Sequence, residues 1–227
     1  MELQTNEANL REQTVGAIAA RLPGATAVFR RHKLDFCCGG EKPLGAAAGA
    51  RGADVAAIVR ELAALGESSV MPDVNRETGA LIDHILARFH ETHRRELPEL
   101  VRLARKVESV HADHPQVPGG LAALLQAMQA DLESHMVKEE TVLFPMMRRM
   151  PGGRFDPPIV CMRGEHDEHG RTLDRLRALA HDFAPPEGAC RSWQALYAGL
   201  AKLADDLMNH IHLENNVLFP RFSGAGE

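Results

Sequence analysis

The feature that most constrains this chain is an eleven-residue segment that occurs twice. Residues 135–145 read His-Met-Val-Lys-Glu-Glu-Thr-Val-Leu-Phe-Pro, and residues 210–220 read His-Ile-His-Leu-Glu-Asn-Asn-Val-Leu-Phe-Pro. Each copy begins with a His and has a Glu four residues later. Because residues four apart lie on one face of an α-helix, each copy presents an imidazole and a carboxylate in the same direction. Nitrogen and oxygen donors in this arrangement suit a first-row transition metal.

A second pair of matching segments extends the duplication to the preceding helices. Residues 90–97, His-Glu-Thr-His-Arg-Arg-Glu-Leu, match residues 166–173, His-Asp-Glu-His-Gly-Arg-Thr-Leu, in both His, one Arg and one Leu. From the first His of each segment to the His of the repeated motif is 45 residues in one half (135 − 90) and 44 in the other (210 − 166). We therefore predict that one αα-hairpin has been used twice and that the two hairpins supply paired ligands.

The hydrophobic pattern predicts an all-α chain with two domains. Abundant Ala and Leu favour helix, and Pro or Gly residues end four long periodic stretches. Those stretches cover about residues 77–111, 121–150, 158–183 and 187–219. Short turns between them favour an up-down-up-down four-helix bundle over residues 76–222. Residues 1–70 are predicted to form a small helical domain, in which Asp54 caps a helix. Because this domain has few bulky apolar residues, we expect it to pack on another surface, for example a second copy of the chain in a homodimer.

Polar donors interrupt the apolar stripes of all four long helices. Burying an unpaired carboxylate or imidazole costs several kcal/mol, so such groups are normally paired or bind a metal. A lone core histidine is usually only hydrogen-bonded, but matched donors on four helices favour a metal site. The candidates are His90 or His93, His135, Glu139, His166 or His169, His210 and Glu214. Because four His and two Glu exceed what one tetrahedral zinc needs, we predict two metals bridged by the glutamates, with iron favoured over manganese.

The N-terminal domain carries a Cys-Cys-Gly-Gly motif that begins at Cys37 and Cys38. A vicinal disulfide is strained, adjacent thiolates do not easily face one small site, and the two glycines leave the backbone free to approach a partner. The functional interpretation is a redox-active, metal-handling or nitrosyl-handling pair. The alternative is a tight turn with one buried thiol. Cys161 and Cys190 are predicted to be buried like apolar residues.

Composition and termini exclude several classes of protein. The net charge of −5 argues against a general nucleic-acid binder. No apolar run approaches the roughly 20 residues that span a bilayer, and the first residues lack the basic and apolar regions of a signal peptide. We therefore expect a cytoplasmic protein with reduced cysteines and with no nucleic-acid or membrane partner.

Several other polar residues have weaker claims to a role. Asp131 and Asp206 precede His135 and His210 by four residues, so they either orient those imidazoles or are solvated. If they are not ligands, His93 and His169 lie behind the ligands, line a channel or pack in the core. A solvated position is favoured for Glu165, and Glu140 lies off the apolar stripe. Five histidines are predicted at the surface, namely His84, His111, His114, His181 and His212.

These motifs resemble those of a known family. Residues 78–222 resemble the hemerythrin-like domain, whose motif is His…His-x3-Glu…His…His-x3/4-Glu/Asp. With Asp-Phe-Cys-Cys-Gly-Gly in the N-terminal domain, the whole chain is similar to the iron–sulfur cluster repair di-iron proteins, also called the repair-of-iron-centres family. The resemblance implies a non-haem di-iron centre, carboxylate-bridged and oxo-bridged, that repairs iron–sulfur clusters after nitrosative or oxidative stress. It selects as ligands His90, His135, Glu139, His166, His210 and Glu214, with Cys37 and Cys38 assisting.

One position departs from the oxygen-carrying hemerythrins, which have His-x3-His on the third helix. Gly170 stands at the second position here, and His169 is one residue short. The missing imidazole implies an open coordination position, which favours nitric oxide binding or iron exchange over simple oxygen carriage. The leading hypothesis is iron donation to damaged iron–sulfur proteins. The alternatives are a nitric oxide reductase that forms nitrous oxide, and a gas-sensing or oxygen-binding module.

Overall fold

The computed structural model describes residues 9–65 and 75–223, and every regular element in these ranges is helical. The predicted all-α fold is confirmed. The α-helices are α1 (Val15–Arg21), α2 (Ala25–Arg31), α3 (Leu44–Ala50), α4 (Val55–Ala64), α5 (Thr78–Ile85), α6 (Glu91–Val110), α7 (Leu121–Lys138), α8 (Phe144–Arg149), α9 (Asp156–Leu179) and α10 (Arg191–Leu213). The predicted linker at residues 66–72 lies outside the described ranges, as do residues 73 and 74.

Three of the four long helices change from α to π geometry for five residues. The π segments are Leu86–His90 between α5 and α6, Glu139–Leu143 between α7 and α8, and Glu214–Leu218 after α10. Each segment begins or ends at a predicted ligand. Single π turns inside α-helices often occur at functional sites. The prediction of uninterrupted helices is therefore corrected where the ligands lie.

The chain divides into two compact units whose boundaries fall within helices as well as between them. Unit 1 comprises residues 1–81, 152–159 and 208–227, and unit 2 comprises residues 82–151 and 160–207. One boundary therefore lies inside α10. The division into domains 1–70 and 76–222 stays a prediction.

Unit 2 contains antiparallel long helices. Arg94 of α6 donates to Glu133 of α7 at 2.9 Å, and Arg105 donates to Gln126 at 2.7 Å. The residue number increases along α6 while that of its hydrogen-bond partner on α7 decreases, so α6 and α7 run antiparallel. This is the arrangement expected for the first predicted hairpin.

The first and last long helices of unit 2 also run antiparallel. Lys202 of α10 donates to Glu96 at 2.6 Å, whereas His111 Nε2 lies 3.2 Å from Cys190 Sγ at the other end. Buried leucines fill the space between the helices of this unit, including Leu97, Leu100, Leu125, Leu132, Leu196 and Leu200. Unit 2 therefore has the layered apolar core that a helical bundle requires.

Unit 1 packs the N-terminal helices on the end of the last long helix. Its core includes Val15, Phe29, Phe36, Leu44, Ile58 and Leu62. The predicted cap is confirmed, because Asp54 accepts from the backbone N–H of Ala56 and Ala57 at 2.9 and 3.1 Å. The surface that the small module needs is supplied in part by the chain's own π segment Glu214–Leu218, through hydrogen bonds described below.

Within the described ranges, no helix combines the length and apolarity needed to cross a membrane.

Candidate metal centre

Unit 2 buries four of the six predicted ligands close together. His90, His135, Glu139 and His166 are each exposed by 1% or less. His90 Nε2 lies 3.4 Å from Glu139 Oε2, and His135 Nε2 lies 3.5 Å from Glu139 Oε1. The Nε2 atoms of His135 and His166 are 3.1 Å apart. Glu139 therefore lies between imidazoles from three different long-helix segments.

The outer nitrogens of two of these imidazoles are held by carboxylates. His90 Nδ1 lies 2.7 Å from Glu140 Oε1, and His135 Nδ1 lies 2.8 Å from Glu165 Oε2. With the proton on Nδ1, each neutral ring keeps its lone pair on Nε2. These lone pairs point at Glu139, whose ionised carboxylate is also an acceptor. Buried acceptors that converge in this way suit a metal ion, and a carboxylate behind the ring is the usual partner of a metal-bound His.

Basic residues keep the outer carboxylates charged. Burial raises the pKa of Glu140, but hydrogen bonds from Arg94 and His90 outweigh it and hold that pKa below its ordinary value. Burial likewise raises the pKa of Glu165, and hydrogen bonds from Lys138 and His135 outweigh it. Both side chains can therefore accept the imidazole protons at neutral pH.

Sequence reasoning missed both outer carboxylates. The sequence pattern places Glu140 off the apolar stripe and favours a solvated position for Glu165. The prediction for Glu165 is wrong. Each side chain is about a quarter exposed and reaches the ring of a ligand histidine. The signal that could have found them is adjacency, because Glu140 follows Glu139 and Glu165 precedes His166.

The deeper histidines of unit 2 are also buried. His93 lines a cavity of about 390 Å³ together with Leu97 and Met136, between α6 and α7. The His169 ring is edge-on to the His135 ring, with centroids 5.1 Å apart. His93 thus faces a space that a small molecule could enter, whereas His169 packs beside a candidate ligand.

Unit 1 carries the other two predicted ligands. His210 is 1% exposed and Glu214 is fully buried. His210 Nε2 lies 3.0 Å from Glu214 Oε1, so this imidazole and this carboxylate share one helix face as the spacing predicts.

The two residues after Glu214 hold the Cys-Cys-Gly-Gly loop. The Asn215 amide donates to the Cys37 carbonyl at 3.1 Å, and the Asn216 amide donates to the Phe36 carbonyl at 3.1 Å. A Cβ on Gly40 would lie 2.7 Å from Asn216 Oδ1. The loop therefore approaches this π segment at a distance that only glycine permits at position 40.

His212 lies beneath the same loop, and its predicted surface position is wrong. It is 2% exposed, its Nδ1 lies 3.0 Å from Asn216 Nδ2, and its ring meets Phe36 edge-on at 5.6 Å. Burial lowers the pKa of His212 to about 4, so the ring is neutral at neutral pH. Packing of the N-terminal helices, which lie far away in the sequence, causes this burial.

Asp35 organises the loop that carries the two adjacent cysteines. Its Oδ1 accepts from the backbone N–H of Cys37 and Cys38 at 3.1 and 3.0 Å, and its Oδ2 accepts from Gly39 at 3.0 Å. The Sγ atoms of Cys37 and Cys38 are 3.8 Å apart. The expectation that adjacent thiols do not face one small site is therefore wrong, because the loop turns both sulfurs to the same side.

The Cys37 thiol is held in its protonated form. A hydrogen bond to Cys38 raises its pKa most, followed by burial and by the charges of Cys38 and Asp35. A protonated thiol is a poor nucleophile. The assisting role of Cys37 and Cys38 stays a prediction, and a metal-handling role needs no free thiolate beforehand because a metal ion displaces the proton.

The remaining cysteines and aspartates differ from what was expected. All four cysteines lie in the described ranges and none forms a disulfide, but Cys161 is exposed and Cys190 is half-buried, so the prediction that both are buried is wrong. Their positions on α9 and just before α10 do not face the apolar core. Asp206 is 5% exposed, and its oxygens accept from Arg88 and Lys202. Asp131 is exposed.

Two family models match separate parts of this chain. The model of the Hemerythrin HHE cation binding domain matches residues 81–222. The model of a domain of unknown function, DUF542, matches residues 11–66.

Three proteins named Iron-sulfur cluster repair protein YtfE are similar to the chain over nearly its full length. The protein of Cronobacter sakazakii is 48% identical over 218 residues, which are 96% of this chain and 98% of that protein. That of Citrobacter koseri is 46% identical over 220 residues, covering 96% and 100%. That of Shigella boydii is 46% identical over 218 residues, covering 96% and 99%.

Proposed function

Because the chain belongs to the family of iron–sulfur cluster repair proteins with a hemerythrin HHE domain, we propose that it restores damaged iron–sulfur clusters by donating iron. The observation that carries this proposal is the buried Glu139 carboxylate faced by the Nε2 atoms of His90 and His135. A cluster of neutral imidazoles and one carboxylate binds a divalent ion without burying a large net charge.

The proposed set of six side chains would hold two iron ions, with Glu139 and Glu214 as its carboxylate donors. The ligands are His90, His135, Glu139, His166, His210 and Glu214. Bound iron would supply both the cargo for a damaged cluster and a place where nitric oxide or oxygen binds. All six side chains are at most 1% exposed.

The protein's own residues make release of a buried ion feasible. Glu140 and Glu165 hold the Nδ1 protons of His90 and His135 in place, so the rings keep their orientation. Without an ion, a proton taken up from solvent onto Nε2 of either ring would hydrogen-bond to Glu139.

The proposal extends to the setting in which repair takes place. Its partners are damaged iron–sulfur proteins, and the setting is the cytoplasm of a cell under nitrosative or oxidative stress. In the proposal, a homodimer would serve to present the N-terminal module to a damaged iron–sulfur protein.

The test is repair by variants that lack one donor. In His90→Leu and Glu139→Leu we expect both bound iron and the reactivation of a nitric-oxide-damaged [4Fe–4S] dehydratase to fall to background. His181→Leu is the matched control, because His181 is exposed. Full reactivation by an iron-free Glu139→Leu protein would overturn the proposal.

The nitric oxide reductase alternative is separated by a turnover measurement. The iron-loaded protein receives nitric oxide and an electron donor without oxygen, and nitrous oxide is counted per chain. Iron donation predicts no sustained production, whereas a reductase makes many equivalents.

A further inference from the structure

The Cys37–Cys38 loop has the dimensions of a metal site separate from the buried histidines. The two Sγ atoms are 3.8 Å apart. With metal–sulfur bonds of about 2.3 Å, two thiolates on one tetrahedral ion lie about 3.8 Å apart. A disulfide would need about 2.05 Å. The spacing therefore matches two sulfurs that share an ion.

Asp35 supplies a third donor in a compatible position. Its Oδ1 lies 3.3 Å from Cys37 Sγ, and one ligand atom from each of Asp35, Cys37 and Cys38 falls within 4.8 Å of the others. Carboxylate oxygens bind at about 2.0–2.2 Å, which places an oxygen and a sulfur of one tetrahedral ion about 3.5 Å apart. The carboxylate is already oriented by three backbone N–H groups, so little ordering is needed to bind an ion.

The loop is also fixed from its other side. Asn215 and Asn216 hold the carbonyls of Cys37 and Phe36. Asp35 is exposed, Cys38 is half-buried and Cys37 is buried, so an ion would approach from the side of Asp35 and Cys38. The loop is thus a rigid, accessible set of donors whose backbone is hydrogen-bonded to the residue after Glu214.

We propose that Asp35, Cys37 and Cys38 form a binding site for one thiophilic divalent cation. Binding displaces the two thiol protons to solvent, and the ion keeps its charge and its electrons. Two sulfurs and one oxygen suit ferrous iron as well as zinc and cobalt. Three ligands leave the fourth tetrahedral position open for exchange. Ferrous iron is the cargo at this site, and that part rests on the proposed function.

The test uses Co²⁺ with the full-length, iron-loaded protein under a reducing, oxygen-free atmosphere. We expect one equivalent of cobalt per chain to produce a thiolate-to-cobalt charge-transfer band. Cys37→Ser and Cys38→Ser should each abolish the band. Asp35→Asn keeps an oxygen for the backbone N–H groups and should weaken cobalt binding roughly tenfold, through loss of a charged ligand.

Two other thiols provide matched controls. Cys161→Ser and Cys190→Ser should leave the cobalt band unchanged, since neither residue is in the loop. A band that survives in Cys37→Ser and Cys38→Ser, or no band in the parent protein at millimolar cobalt, would overturn the site.

Measurements on the same samples separate this site from the repair function. The iron held by the buried histidines should be equal in Cys37→Ser and the parent protein, while the initial rate of ferrous transfer to a coloured chelator should fall several-fold in the variant. An unchanged transfer rate would overturn the cargo role. If the parent protein does not repair clusters, the proposed function is wrong. The cobalt band still shows whether the cysteine loop binds a metal ion.

Discussion

The two copies of the repeated motif have similar backbone geometry but use the residue after the motif glutamate differently. In the first copy Glu140 accepts from His90 and so orients a candidate ligand. In the second copy the equivalent residue is Asn215, and it donates to the Cys37 carbonyl. Both π segments begin at the preceding glutamate, Glu139 or Glu214. The two copies therefore present similar donors, and the residue after each glutamate makes a different contact.

Burial follows the same division between the copies. Val142 is 53% exposed in the first copy, whereas the equivalent Val217 is 4% exposed. Val137 is 42% exposed, whereas the equivalent His212 is 2% exposed. The face that meets solvent in the first copy is covered in unit 1. A few changes on one helix face were thus enough to turn it into a surface that holds the cysteine loop.

The largest expected effect comes from removing the orienting carboxylate of the first copy. In Glu140→Ala, His90 loses the acceptor of its Nδ1 proton, and we expect iron affinity to fall about 10–100-fold. Glu133→Ala is the control, because Glu133 shares Arg94 with Glu140 and has no hydrogen bond to an imidazole among the described contacts. Competition with a chelator measures both. Equal affinities in the two variants would show that Glu140 does not orient a ligand.

The second expected effect concerns the close approach between Gly16 and Asn216 of the second copy. A Cβ at Gly16 would lie 2.5 Å from Asn216 Oδ1 and 3.0 Å from the Gly40 carbonyl. Gly16→Ala should therefore destabilise the protein by about 1–3 kcal/mol through overpacking. Urea unfolding of the iron-loaded chain measures the change.

Gly49 is the matched control for Gly16. It lies in α3 of the same module, and an added Cβ would meet nothing within 4 Å. Gly49→Ala should stabilise by roughly 0.5–1 kcal/mol, because alanine favours helix. A destabilised Gly49→Ala would mean that glycine is needed in the module for reasons other than the docking of Asn216.

A smaller effect is expected from the docking amide itself. Asn216→Ala leaves the Phe36 carbonyl without its donor, and we expect a loss of about 1–2 kcal/mol in the free energy of unfolding. The equivalent residue of the first copy is Thr141, which is exposed and donates to the Val137 carbonyl at 2.7 Å. Thr141→Ala should stay within about 0.5 kcal/mol. Similar losses in both variants would erase the difference between the copies.

Helical periodicity and the duplication pick out the candidate donors from the sequence, and the family resemblance then selects His90 and His166 over His93 and His169. The spacing from His135 to Glu139 places both side chains on one face whatever the rest of the fold does. The same logic could not find the π segments, since one wide turn hardly alters an apolar pattern. Glu140 lies in such a π segment, and its side chain contacts the His90 ring.

Long-range packing explains the other wrong predictions. The sequence predicts His212 at the surface, but its ring contacts Phe36 of the N-terminal module and is buried there. The sulfur positions of Cys37 and Cys38 depend on the hydrogen bonds that Asp35 makes with their backbone. No periodic pattern encodes a turn of this kind, so its shape had to come from the structure.

The smallest expected effect compares the aspartates four residues before each motif histidine. Asp131 is exposed, whereas Asp206 is buried beside Arg88 and Lys202. Burial raises the pKa of Asp206, but hydrogen bonds from both cations outweigh it and hold that pKa below its ordinary value. The stabilisation is therefore fully present above the ordinary pKa of about 3.9. It is lost as the pH falls through the lower pKa of the folded state.

Asp206→Asn tests this assignment against Asp131→Asn. At pH 7 we expect Asp206→Asn to lower the free energy of unfolding by about 1 kcal/mol, since both partner cations are nearly half exposed and solvent screens the pairs. The deficit should persist down to about pH 5 and shrink below about pH 4. Asp131→Asn should change nothing at either pH. Urea unfolding of both variants across this pH range measures the deficit. A deficit that stays constant to the lowest pH would mean that Asp206 acts through its shape and not through its charge.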